Sequence, residues 1–219
     1  MNRPSWIVLD AADTLIRPVP DVASVYQRVA AQHDVHRSID SIAGRFSKAF
    51  TKHFDGNAGE ELDRARWRSV VLEVLETDHV VIFEDLWDHF ANPSSWQLFD
   101  DVIPTWTGLA NAGFQLAIAS NFDRRLIEIV KATQPICDAA HVCISSDFGF
   151  AKPRIEFFNA VEDRLGATGE SLLMVGDNRQ ADYLGARNAG WQARHLDRNA
   201  PAKDEDTIAT LTELLELLA

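Results

Sequence analysis

The chain has 219 residues, 46% of them apolar and 25% charged, enough for one sizeable core with an accessory unit and too apolar for domain-scale disorder. Its 21 basic against 33 acidic residues give a formal charge of -12, which disfavours a surface for phosphate backbones and so excludes nucleic acid as an expected partner. The apolar run 6–9 is too brief for a signal-peptide core and no stretch approaches membrane-spanning length, so the expectation is a cytoplasmic protein with no membrane partner.

A buried-strand pattern over 6–9 ends in Asp10 and runs into the turn-like residues Ala11, Ala12, Asp13 and Thr14. Helices are predicted next over 21–34, 38–54, 60–77 and 83–90, from spacings such as Val22, Val25, Val29 and Trp67, Val70, Val71, Val74, Leu75. Asp21 and either Ser38 or Asp40 suit the N-caps. This block holds no strand pattern. From about Trp96 the chain alternates: helix 102–111, strand 114–119, helix 124–132, strand 141–144, helix 153–165, strand 172–175, helix 180–188, strand 191–195 and a C-terminal helix from about 205. Alternation of this kind implies right-handed crossovers and an α/β fold, a Rossmann-like parallel sheet covered on both faces. The first strand precedes the helical block and the others follow it. Segments 18–20 and 92–95 are therefore the expected hinges, dividing a core of 1–17 and 93–219 from an inserted all-helical cap, 18–92.

Open parallel sheets bind ligands beyond the carboxyl ends of their strands. Asp10, Ser120 with Asn121, and Gly176 with Asp177 all lie at such ends, and Lys152 follows the 141–144 strand. Convergence of Asp10, Asp177 and Asp182 puts three carboxylates in one pocket, which repels itself unless a cation is present. Oxygen-only ligands favour Mg²⁺ over zinc. Lys152 adds a second positive charge and Ser120 a hydroxyl for anion oxygens. The set suits phosphoryl transfer on a small phosphorylated molecule with Asp10 as nucleophile.

These segments resemble the four motifs of the haloacid dehalogenase superfamily: residues 10–15, Ile118-Ala119-Ser120-Asn121, Lys152-Pro153, and Gly176-Asp177-Asn178 with Asp182. The helical block sits where that family inserts its C1-type cap. In the stretches 120–126 and 92–97, and in Asp13 before the threonine, the chain is similar to the branch represented by haloacid dehalogenase-like hydrolase domain-containing protein 3. The resemblance implies that Asp10 attacks phosphorus, that Ser120, Asn121 and Lys152 bind the transferring group, and that Lys152 also steadies the nucleophile. It further implies Mg²⁺ held by Asp10, the Ala12 backbone carbonyl and Asp177, with Asp182 a further ligand or a supporting partner.

The chain departs from the family at Ala12, where its phosphatases usually carry the Asp that serves as general acid and then base. Strand alternation puts Asp13 on the opposite side from Asp10, so it substitutes only through a local irregularity. General acid-base catalysis is typically worth about 10² to 10⁴ in rate, or roughly 3 to 5 kcal/mol. The expectation is a phosphatase weakened or made selective, with alkyl phosphates suffering most. Alternatives are a catalytically degenerate phosphate-binding or regulatory protein, a dehalogenase-like hydrolase, and a phosphonatase-like hydrolase using Lys48 or Lys52 of the cap.

Other conspicuous residues take plainer readings. The tryptophans are expected in the core, with Trp96 a possible exception at the cleft. Phe46, Phe50 and Phe54 are expected to pack within the cap, Arg124 and Arg125 on a helix surface, and Cys137 and Cys143 as buried reduced thiols.

Overall fold

The computed structural model describes residues 3–54, 56–199 and 206–219. In chain order its elements are β1 (Trp6–Leu9), β2 (Ile16–Pro18), α1 (Val22–Ala31), α2 (Ile39–His53), α3 (Glu60–Leu75), α4 (Val80–Ala91), β3 (Trp96–Leu98), α5 (Val102–Asn111), β4 (Gln115–Ser120) and α6 (Arg125–Lys131). Then follow β5 (His141–Ile144), α7 (Ser145–Phe148), α8 (Ile155–Leu165), β6 (Leu172–Gly176), a π-helical turn Arg179–Leu184, α9 (Gly185–Asn188), β7 (Gln192–Leu196), β8 (Thr207–Ile208) and α10 (Glu213–Leu217).

Six strands form one sheet in the order β5-β4-β1-β6-β7-β8, parallel throughout. The first-made strand, β1, is central, with β4 on one side (Leu9 opposite Ile118) and β6 on the other (Leu9 opposite Val175). This is the switch point at which a parallel sheet opens a crevice at its carboxyl edge. Alternate side chains of β1 feed two separate layers. Ile7 and Leu9 pack with Trp106, Leu126 and Ile129 on one face; Trp6 and Val8 pack with Phe157, Phe158 and Trp191 on the other. Burying each such side chain contributes roughly 1.5–3 kcal/mol, so a strand with no polar residue is the stable occupant of the sheet centre.

α1 to α4 pack around a third apolar cluster that includes Tyr26, Ile42, Val70, Val74, Ile82 and Leu86. The Asp21 side chain caps α1 by accepting from the Ser24 amide at 3.1 Å, and Ser38 rather than Asp40 caps α2, accepting from the Ser41 amide at 3.2 Å. Accepting from both the hydroxyl and the amide of Ser24 holds the Asp21 carboxyl below its usual range.

Beside the expected hinges, β2 and β3 pair antiparallel, with Arg17 opposite Gln97 and Pro18 opposite Trp96. Two local expectations are corrected. The helix expected over 180–188 opens as a π-turn before becoming α-helical at Gly185. The expected start of the last helix, residue 205, lies outside the described residues. Downstream of it, Thr207 and Ile208 extend the sheet beside His195 and Leu196, as their β-branched side chains favour, and the helix begins at Glu213. Both cysteines are free, Cys143 buried and Cys137 only half-buried. No helix among the described residues is long and apolar enough to cross a membrane.

Candidate active site

β1 delivers Asp10 to the carboxyl edge of the sheet, where its amide still donates to Val175 O of β6 at 2.9 Å. The chain then reverses within a few residues: the Leu15 and Ile16 amides both return to Ala11 O, at 2.8 and 2.9 Å. Asp13 sits at φ 60°, in the left-handed region. That is the irregularity needed to break strand alternation, and it leaves Asp13 exposed on the same cavity wall as Ala12. Thr14 braces the loop from within. Its hydroxyl accepts from the Asp177 amide at 3.0 Å and donates to the Asp177 carboxylate at 3.1 Å. Arg198 braces it from outside, donating to Thr14 O at 2.8 Å while gripping Asp101 at 2.8 and 3.1 Å.

Lys152 is fully enclosed. Its ammonium lies 2.7 Å from Asp10 Oδ1, 2.6 Å from Asp182 Oδ1 and 2.7 Å from Ala119 O. Its partners are thus the first and last acids of the set rather than Asp177. Burial alone would depress the lysine's pKa; the two carboxylates outweigh it, so the group stays charged with its pKa above the ordinary value. Asn121, at the end of β4, accepts from the Lys152 amide at 2.7 Å and donates to its carbonyl at 2.9 Å. Ser120, the last residue of β4, is buried beside them.

Gly176 explains how Asp182 comes so close. A Cβ at position 176 would lie 2.2 Å from Asp182 Oδ2, so only glycine allows the π-turn to bring that acid beneath β6. Asp182 Oδ2 accepts from the Asn178 amide at 3.0 Å, which leaves both its oxygens engaged. Oxygens of Asp10, Asp177 and Asp182 lie within 4.8 Å of one another. Three carboxylates against one ammonium leave a formal charge of -2, matched by one hard dication. With no cation to offset it, enclosure first, then repulsion by Asp10 and Asp182, pushes the Asp177 carboxyl up to about 7. The donor set therefore fits Mg²⁺.

The structure thus gathers Asp10, Ser120, Asn121, Lys152, Asp177 and Asp182 at one edge of the sheet, with Ala12 two residues from Asp10. A model of the haloacid dehalogenase-like hydrolases matches residues 4–190. The chain belongs to that family. The haloacid dehalogenase-like hydrolase domain-containing protein 3 of Danio rerio is 26% identical over 205 residues, spanning 88% of this chain and 85% of the relative. A glyceraldehyde 3-phosphate phosphatase of Methanothermobacter thermautotrophicus is 29% identical over 137 residues, 55% of this chain and 58% of that one. Among solved structures, a dehalogenase superposes with a TM-score of 0.77 at 20% identity, covering 100% of this chain and 99% of its own. That likeness reports the fold, which serves more than one chemistry.

Two cavities flank the site of this haloacid dehalogenase-like hydrolase, one of about 580 Å³ reaching Lys152 and one of about 300 Å³ reaching Ala12. Phe46 and Phe54 pack against the apolar cluster of the helical block as expected, and the three rings also face the cavities, Phe46 and Phe50 lining the smaller, Phe50 and Phe54 the larger. Stacking of Phe50 on Phe46 and Phe54, with Trp67 beside all three, makes one continuous aromatic wall. Trp67 and Trp96 are likewise on the cleft, Trp87 is buried but lines the smaller cavity, and Trp6, Trp106 and Trp191 are buried. Arg124 is exposed as expected, pairing with Asp147. Arg125 is not: it lies 3.5 Å over the Trp87 ring and forks onto buried Asp123 at 2.7 and 2.6 Å. Among the described residues Lys48 and Lys52 line neither cavity, and Lys52 pairs with Glu73 at 2.8 Å.

Proposed function

We propose that this hydrolase is a Mg²⁺-dependent phosphatase of a small phosphorylated metabolite in the cytoplasm, working through an aspartyl-phosphate on Asp10. The observation that carries this reading is the acid cluster Asp10, Asp177 and Asp182 with Lys152 inserted at 2.7 and 2.6 Å. Such a site retains a nucleophile, a charge for the transferring group and a place for a hard dication. Residues 1–17 and 93–219 form the core in this reading, and 18–92 the cap that closes over it.

Asp10, the Ala12 carbonyl and Asp177 would hold the metal, with Asp182 supporting Lys152 because its own oxygens are already engaged. When bound, Mg²⁺ polarises a phosphoryl oxygen and neutralises charge that develops there. Asp10 has one oxygen fixed by Lys152, which leaves the other to attack phosphorus in line with the leaving oxygen. The Ser120 hydroxyl would hold a remaining phosphoryl oxygen; Lys152, whose three donors go to Asp10, Asp182 and Ala119 O, supplies positive charge beside the group, and Asn121 keeps the lysine's backbone in place. Ala12 offers no proton to the leaving oxygen.

Ala12 also favours a second reading, a binding module that keeps the phosphate cradle without useful turnover. A Mg²⁺-dependent screen of phosphate esters, acyl phosphates and phosphonates with Asp10→Asn as control separates the two. Turnover abolished in the mutant supports the phosphatase; tight phosphate-ligand binding with no turnover in either protein supports the module. Phosphonatase- or dehalogenase-like hydrolysis would show as borohydride-trappable imine or as metal-independent turnover of haloacids.

A further inference from the structure

The cavity of about 300 Å³ that opens at Ala12 differs in kind from the polar site beside it. Nine of its seventeen lining residues are aromatic, Phe46, Phe50, Trp67, Trp87, Phe90 and Trp96 among them. Its charged lining is Asp13 and Arg125. Arg125 lines it, but its guanidinium is neutralised by Asp123 and covered by Trp87, so the wall has no unpaired cation for a second anionic group. Tyr26 is only 2% exposed, and its hydroxyl makes no hydrogen bond to any described residue, giving an apolar wall one unused polar atom. The volume is at the lower end of small-molecule sites, about 300–1,000 Å³.

The position of Ala12 supplies an independent constraint. Ala12 itself lines this cavity, so the group held there is the one whose oxygen leaves without a proton from position 12. Aryloxides can leave in that way because phenols ionise near pKa ~10, whereas alkoxides are far more basic. Flat aromatic walls and the lack of an acid at position 12 select the same chemistry.

We infer that this cavity is the leaving-group pocket and that it takes an uncharged aromatic group, making aryl phosphates the substrate class. The inference rests on the phosphatase reading above for its chemical step. In that step an Asp10 oxygen bonds to phosphorus as the P–O(aryl) bond breaks, the electron pair leaving on the aryloxide, which is then protonated by water. A second water bonds to phosphorus, the P–O bond to Asp10 breaks with its electrons returning to the carboxylate, and the water's protons end on phosphate and solvent. The sum is aryl phosphate plus water giving phenol plus phosphate.

The test compares 1-naphthyl phosphate with glycerol phosphate in wild type and Phe50→Ala, and measures binding of the non-hydrolysable 1-naphthylmethylphosphonate by quenching of tryptophan fluorescence. Phe50 is 38% exposed, so its truncation spares the core. The expected result is a kcat/KM for the naphthyl ester at least ~100-fold above that for glycerol phosphate, a ratio that falls about 10-fold in Phe50→Ala. Phosphonate binding should weaken about 10-fold in the same variant. Equal kcat/KM for the two esters, or a Phe50→Ala loss shared equally by both, overturns the inference while leaving the phosphatase reading intact. Phosphonate binding that weakens in Phe50→Ala with no turnover of any ester supports the pocket and defeats the phosphatase. Absence of phosphonate binding to the wild type overturns the pocket whatever is turned over.

Discussion

The side-chain amide of Asn121 closes two hydrogen bonds on the main chain of Lys152, accepting from its N–H at 2.7 Å and donating to its C=O at 2.9 Å. One strand end thereby fixes the loop that follows the next strand, and with it the ammonium between Asp10 and Asp182. Asn121→Ala should lower kcat/KM about 10- to 100-fold, since an ångström of misplacement costs about that much. Steady-state kinetics on an aryl phosphate measure it, and wild-type values in the mutant would show that the clamp is dispensable.

Restoring the missing acid should change selectivity rather than create the site. Ala12→Asp is expected to raise turnover of alkyl phosphates by roughly 10² or more while altering aryl phosphates little. A parallel assay of one ester of each kind gives the ratio directly; an unchanged ratio removes Ala12 as the limiting residue.

Gly176→Ala drives a methyl into the Asp182 carboxylate, which is itself pinned by Lys152 and Asn178. Overpacking of this kind costs about 1–3 kcal/mol, a fall in Tm of roughly 2–12 °C for a chain of this size. Thermal melts should also show the Mg²⁺-dependent rise in Tm diminished, because the acid cluster can no longer form undistorted.

The elevated Asp177 pKa makes cation binding depend on pH in a definite direction. The carboxyl moves from its ordinary 3.8 to about 7 in the folded chain, so its contribution to stability is full below 3.8 and lost as pH rises through about 7. A dication binds the ionised form, so the increment in Tm caused by Mg²⁺ grows across the same interval. At a Mg²⁺ concentration 100 times its dissociation constant at pH 8, the gain is about 2.7 kcal/mol, and at pH 5.5 it should shrink to roughly a third. Melts with and without Mg²⁺ at the two pH values test this, and an increment independent of pH would place the cation elsewhere.

Much of the fold is legible because its signals are local. Helix 102–111 and strand 141–144 are read from the sequence at the bounds the structure gives, and Asp10, Ser120 and Asp177 announce themselves as polar residues at or just after the ends of buried strands. What escapes is long-range. Arg198 reaches Thr14 O across 184 residues, and no spacing marks it. Arg125 sits in a helix next to exposed Arg124 and is distinguished only by Trp87 and Asp123 around it. The pairing of β2 with β3 escapes because strands of three residues have too little alternation to register. Asp13 is misplaced by alternation for a sharper reason: a single left-handed residue cancels the rule that alternation rests on.

Beyond its own backbone turn, the loop around Asp10 is secured by residues made long after it. Thr14 waits 163 residues for Asp177 and its carbonyl 184 residues for Arg198, while both neighbours of β1 in the sheet also come later in the chain. At a synthesis rate of about 5–20 residues per second, that is a delay on the order of ten to forty seconds. During translation the Asp10 carboxylate therefore exists without Lys152, Asp182 or Arg198 around it. The growing chain carries this acid early and acquires its surroundings only later.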